Sequence, residues 1–292
     1  MTPRQAHLLA AACAQVGIDP TGAELIRDGE NQIYRLKGRI IARVNPDGQH
    51  AAAQREVFLA RWLNDNGVRA VEPIDVAQPV EVDGHPVTFW HEFAPHHNGS
   101  VRQVATALKQ LHALPVPNEL KEHKVEPFVR LGERIDGATW VSDDDRDWLH
   151  ECITTLENQW HHRPAGMPDA VIHGDAWVGN FVDVEGHGVT LLDLERCSVG
   201  PPEWDLTSTA CRVTSYSTLT ATGYSAYCDE YGYDVTTWAG FELFRDIREL
   251  RVTCYAAHVT QSRPGRRPEA QLRIDSLRGR RGPRPWRWEP VN

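Results

Sequence analysis

Through the first third of the chain, apolar and polar positions alternate in short runs. "AELIRDG" and "NQIYRLKG" read as two strands around a turn, and "RIIARVNP" as a third strand stopped by Pro46. The period then lengthens. "AAAQREVFLARWLNDNG" carries its apolar residues at helical spacing and ends at Gly67. "AVEPIDVAQPVEVDGHPVTFWHEF" returns to strand character, two or three strands with Asp83-Gly84 as a hairpin signal. After "APHHNGS" helical patterns dominate. Ser100 is placed to cap "VRQVATALKQLHAL", which Pro115 and Pro117 end. "DDRDWLHECITTLENQW", the Tyr-rich stretch from Thr207 to Tyr231 and "WAGFELFRDIRELRVTCYAAHV" read as further helices. The exceptions are two short strands around Asp175 and Asp193. A strand-rich first third and a helix-rich remainder, changing near Glu92–Pro95, predict an α+β fold of two lobes, 1–93 and 94–292. A cleft between such lobes is where ligands usually sit.

Composition narrows this picture. With 292 residues and 41% hydrophobic content the chain can bury a sizeable core. No run approaches the roughly 18 apolar residues of a membrane span. "LLAAACA" near the start superficially resembles a secretion signal, but its apolar run is short. An amphipathic first helix ended by Gly17 is the better reading, and the expected location is cytoplasmic. Six scattered cysteines without a C-x-x-C pair read as reduced thiols. The 14 His, including His96-His97 and His161-His162, show no zinc-ligand spacing. From Arg263 onward there are nine Arg against three acids, so a net charge of −9 leaves −15 on the preceding residues. An acidic body disfavours nucleic acid and suits a cationic small molecule. The Arg-rich end reads as the solvated face and exit of a final helix, with phosphate binding as the rival reading.

The chemistry concentrates in "VIHGDAWVGN" and the following "GVTLLDLE". Asp175 stands at the end of a buried strand, where a carboxylate can orient or deprotonate an attacking hydroxyl. Asn180 offers a neutral oxygen and Asp193 an anionic one. Two hard oxygen donors suit Mg²⁺, which binds through one or two carboxylates plus substrate phosphates. Base, amide and metal carboxylate together describe phosphoryl transfer.

"HGDAWVGN", "LLDLE" and the downstream "GPPEWDL" resemble, in this order, three elements of the aminoglycoside phosphotransferase and choline kinase-like superfamily, relatives of protein kinases. The resemblance implies a protein-kinase-like fold, with a small antiparallel-sheet N-lobe and a larger, mainly helical C-lobe. It also implies ATP or GTP and Mg²⁺ as cofactors, with Asp175 catalytic and Asn180 and Asp193 on the metal. Upstream, "ELIRDGENQIYRL" is similar to the nucleotide-covering hairpin, with Asn31 near its tip. "RIIARV" places Arg43 where the family carries a phosphate-binding Lys, and an always-charged guanidinium can take that role. Glu56 matches the helix glutamate that pairs with this cation. "TFWHEF" is similar to the hinge strand, so that Glu92 and Phe93 would offer backbone groups to a purine. "LKQLHAL" matches a recurrent helix of the family, in which His112 is read as a packing residue. His173 is expected to hold the loop, and Asp205 to brace it. Glu195 is either second to the metal ligands or simply solvated.

Acceptors in this superfamily include aminoglycosides, other antibiotics, amino sugars, choline and homoserine. The acidic body points to a cationic acceptor, with Glu203, Asp229 and Glu230 as candidate contacts in the helical region. The alternatives are a kinase of a non-sugar acceptor and a catalytically weak nucleotide-binding module, the latter suggested by Arg43 and by the single glycine of the hairpin. Monomer and homodimer both remain open.

Overall fold

Strands and helices follow the apolar periodicity closely. The computed structural model describes residues 2–29 and 31–291. In chain order these form α1 (Pro3–Val16), β1 (Glu24–Asp28), β2 (Gln32–Leu36), β3 (Ile40–Val44), α2 (His50–Asp65), β4 (Val80–Val82), β5 (His85–His91), β6 (His96–Asn98), α3 (Val101–His112), α4 (Leu131–Asp136), α5 (Asp143–His161), β7 (Ala170–Ile172), β8 (Phe181–Val184), β9 (Gly188–Leu191), β10 (Ser198–Gly200), α6 (Glu203–Thr214), α7 (Ala221–Tyr231), α8 (Phe241–Val259) and α9 (Arg267–Leu277). Single 3-10 turns at Val178–Asn180 and Leu194–Arg196 carry parts of the motifs described above.

Packing gathers the chain up to Leu111, together with Val178–Cys197, into one unit. His112–Trp177 and the residues from Ser198 onward form the second. Within the first unit β6 pairs with β8, and β8 with β9.

The first unit contains an antiparallel sheet in the order β1-β2-β3-β5-β4. Asp83 and Gly84 join β4 to β5 with φ of 50° and 81°, the left-handed pair whose twist suits a two-residue hairpin. α1 opens on a reciprocal cap, in which Thr2 N–H donates to Gln5 Oε1 at 2.6 Å and Gln5 N–H to Thr2 Oγ1 at 3.3 Å. It ends at Gly17 with φ of 72°. Its Leu8, Leu9, Ala12 and Cys13 pack against Tyr34, Val87 and Phe89 of the sheet. Each large side chain buried this way contributes roughly 1.5–3 kcal/mol. A second sheet, β6-β8-β9, is joined to the segment after α2: Leu191 N–H donates to Arg69 O, and Val71 N–H to Leu191 O, both at 2.9 Å.

The second unit is built from helices. Leu131, Ile135, Leu149, Leu250, Cys254 and Ile274 join α4, α5, α8 and α9 in one core. Trp160, Ile172, Trp204, Phe244 and Ile247 form another. The Tyr-rich stretch is carried on two helices, α6 and α7. After α9 the Arg-rich end does not run out as a solvated face. Arg278 pairs with Asp144 at 2.8 Å, and Arg284 Nε donates to the buried Glu249 at 2.7 Å. Trp286 and Trp288 are buried and stacked, with ring centroids 5.2 Å apart. Arg284 thus meets a carboxylate while the two rings beyond it cover apolar surface. Among the described residues, no helix is long and apolar enough to cross a membrane.

Candidate active site

In the second unit, β7 and β10 form a short antiparallel ladder with Ile172 opposite Ser198 and Ala170 opposite Gly200. The chain leaves β7 directly into His173-Gly174-Asp175. Gly174 has φ of 81°, a conformation that costs glycine nothing. The buried Asp205 carboxylate accepts the His173 N–H at 2.6 Å and the Gly174 N–H at 2.9 Å. It also lies 3.2 Å from His112 Nε2. Burial pushes this carboxyl up, but the His112 hydrogen bond and charge, with His173 and Arg248 adding, hold it below the ordinary aspartate value. Trp204 Nε1 donates to Gly174 O at 2.9 Å, and Arg248 Nε donates to Trp204 O at 2.9 Å. The loop is therefore held at its N–H groups and at a carbonyl. His173 is fully buried. Asp175 is half-buried, its carbonyl accepting from Trp177 N–H at 2.9 Å.

The first unit contains a cavity of about 850 Å³. Ile33, Ile41, Val71, Trp90 and Phe93 supply apolar walls, and Arg43, Glu56 and Asp193 supply charge. Arg43, on β3, donates to both oxygens of Glu56 on α2, at 2.7 and 2.9 Å. Its other terminal nitrogen lies 3.8 Å from Glu195 Oε2. With its amide oxygen turned to the guanidinium, Asn31 accepts from Arg43 Nε at 3.0 Å. Burial pushes the Glu56 carboxyl above its ordinary value; Arg43 opposes this, whereas Asp193 and Glu195 add to it. Glu92 is committed on two sides. Its N–H donates to Arg39 O at 2.8 Å and its carboxylate accepts from Arg35 Nε at 2.6 Å. Of the backbone groups expected to meet a purine there, the Glu92 C=O lies 3.4 Å from Arg39 Nη2.

Asp193 sits in the left-handed region, with φ of 54° and ψ of 63°, at the mouth of the Leu194–Arg196 turn. Aspartate visits this region more readily than most residues, still at some cost, and such strain concentrates at functional positions. The Leu192 N–H donates to Asn180 O at 2.9 Å, joining the turn that carries Asn180 to the residue before Asp193. Among the described residues, no three His, Cys, Asp or Glu side chains gather to hold a metal by themselves. The donor set nevertheless fits Mg²⁺. It offers an amide and a carboxylate oxygen, leaving other positions to phosphates and water, and Asp193 itself lines the cavity with the carboxylates Glu56 and Glu92 and the cations Arg35 and Arg43.

The expected acceptor contacts are differently placed. Glu203 is fully buried and accepts Met167 N–H at 2.6 Å. Asp229 is exposed and Glu230 half-buried on α7. Sequence reasoning missed Trp204 and Arg248, and it read His112 as mere packing. A polar His closing the apolar face of α3 was the available signal for a buried partner.

A braced H-G-D loop, an Arg–Glu pair between β3 and α2 and a left-handed aspartate turn stand together in a chain of the phosphotransferase class. The family model described as "Phosphotransferase enzyme family" matches residues 22–244, and the chain belongs to that family. None of the curated proteins compared with it matches. Among solved structures, an amicoumacin kinase in complex with AMP-PNP and Ca²⁺ superposes with a TM-score of 0.71 at 14% identity, covering 96% of this chain and 94% of that one. An aminoglycoside phosphotransferase from Streptomyces rimosus gives 0.63 at 19% identity, with coverage of 86% and 99%. A choline kinase from Streptococcus pneumoniae gives 0.63 at 13%, with coverage of 94% and 100%. These likenesses are of fold, and they agree with the α+β architecture expected from the sequence.

Proposed function

We propose that the protein is a small-molecule kinase that moves the terminal phosphate of ATP or GTP to a hydroxyl of a cationic acceptor. The observation that carries this reading is the cavity of the first unit, whose apolar walls suit a purine, whose Arg43 suits its phosphates and whose Asp193 suits the cation that accompanies them. Arg43, held by Glu56, would contribute fixed positive charge to the phosphates, and the Phe93 backbone would meet the purine edge. Asn180 and Asp193 would hold Mg²⁺, which when bound neutralises charge on the transferring group. Asp175 would accept the proton of the acceptor hydroxyl as that oxygen bonds to phosphorus and the nucleoside diphosphate leaves. The rigidity given by Asp205 supports this role, because positioning supplies most of the catalysis in such reactions.

A net charge of −15 before Arg263 supports an amino sugar, an aminoglycoside or a related cationic antibiotic as acceptor. Asp229 and Glu230 are the candidate contacts on α7, while the burial of Glu203 directs it to structure. Choline- or homoserine-like acceptors form the rival class. The commitment of Arg43 to Glu56, Glu195 and Asn31 favours a second reading, a weakly catalytic nucleotide binder.

The test is ADP or GDP release with both nucleotides across amino sugars, aminoglycosides, peptide antibiotics and amino alcohols. Asp193→Ala is expected to abolish Mg²⁺-dependent turnover. Asp175→Asn is expected to lower kcat by about 10²–10⁴ while nucleotide affinity persists. Full activity in Asp193→Ala would sink the kinase reading, and nucleotide binding without turnover on any acceptor would favour the second.

A further inference from the structure

Glu195 lies two residues beyond Asp193, on the same single turn, Leu194–Arg196. That turn packs against α2, the helix that carries Glu56. Arg43 reaches both carboxylates at once, with one terminal nitrogen on Glu56 at 2.7 Å and the other 3.8 Å from Glu195. A guanidinium holds its nitrogens in a rigid fork and can span two carboxylates in fixed directions. A lysine ammonium is a single point charge on a flexible stem. Asp193, at the head of the turn, is held in a left-handed conformation and receives no capping hydrogen bond through its side chain. Something outside the turn must keep its backbone there.

We propose that Glu195 is a positioning residue, which by pairing with Arg43 pins the 193–196 turn to β3 and α2 and so fixes the aim of Asp193. The inference rests on the kinase reading, in which Asp193 holds Mg²⁺, and it gives a reason for Arg43 where the resemblance implies Lys. Arg196 also comes within 4.0 Å of Glu195, on the other carboxylate oxygen. That contact lies within the turn and cannot anchor it to a neighbour. Glu56 feels the charges of both Glu195 and Asp193, so the other described charges coupled here are anionic.

The experiment measures equilibrium binding of a fluorescent ATP analogue by the full chain over a range of MgCl₂, beside thermal melts in chelator. Glu195→Gln is expected to raise the Mg²⁺ concentration for half-maximal binding by up to about fivefold, the scale of a part-exposed ion pair. Binding and melting without Mg²⁺ stay as in the parent, a pattern that a merely structural role would not give. Arg43→Lys shifts the Mg²⁺ curve in the same direction. The double variant shifts it no further than Arg43→Lys alone, because both changes remove one interaction. Glu195→Asp, which keeps the charge, falls between parent and Glu195→Gln. A Glu195→Gln curve that overlays the parent overturns the proposal, as do additive shifts in the double variant. Asp193→Ala separates the two levels. If Mg²⁺ still enhances nucleotide binding in that variant, the metal assignment falls and the proposal with it. If the enhancement is lost there while Glu195→Gln is silent, the positioning role alone falls.

Discussion

Asp205 shows how one buried carboxylate can organise a loop. It receives two backbone N–H groups and faces His112 while fully buried, so its removal strands several groups without water. Asp205→Ala is expected to destabilise the protein by about 3–5 kcal/mol in denaturant unfolding. Its folded-state pKa is depressed, so its contribution is fully present above the unfolded aspartate value and is lost as pH falls through the folded one. Acid titration below about pH 4 should therefore erode the stability of the parent more steeply than that of Asp205→Asn. At this scale the sequence was most legible where a motif constrained it. Asp205 was expected to brace the loop, and the structure places it there. The partners Trp204 and Arg248 were not legible as such, because hydrogen bonds to or from a carbonyl leave no periodic trace in the chain.

Elements were readable where alternation or a turn signal was strong. Asp83-Gly84 marked the β4–β5 hairpin, and Ser100 caps α3 through Gln103 N–H at 3.3 Å. β10 escaped because three residues, "SVG", are too short for any period. Its geometry is nevertheless strict. A Cβ on Gly200 would lie 2.6 Å from Val125 Cγ1 and 3.1 Å from Ile172 Cδ1. Gly200→Ala is therefore expected to cost about 1–3 kcal/mol by overpacking, read from thermal or denaturant melts. Because β10 pairs with β7, the strand that leads into Asp175, the same variant should lower kcat more than it raises the KM for nucleotide.

Across the whole molecule, the least legible part was the Arg-rich end. Like-charge runs usually solvate, and nothing local in the sequence showed that Glu249, more than thirty residues upstream, would be buried opposite Arg284. Arg284→Met leaves that carboxylate buried without its partner and is expected to cost about 3–5 kcal/mol. Pairing it with Glu249→Leu should recover much of the loss, since the apolar pair removes the stranded charge. Melting temperatures of the two single variants and the double check both claims.

The division of the chain into interrupted units also bears on its synthesis. The residues up to Leu111 do not complete their unit until the segment ending at Cys197 has been made, because β8 and β9 lie in that later stretch. At about 5–20 residues per second, the ribosome needs roughly 4–17 s to supply the intervening 86 residues. During that wait β6 presents an unpaired edge on a nascent chain, so chaperone capture or a translational pause between residues 111 and 197 would influence yield more than one placed later.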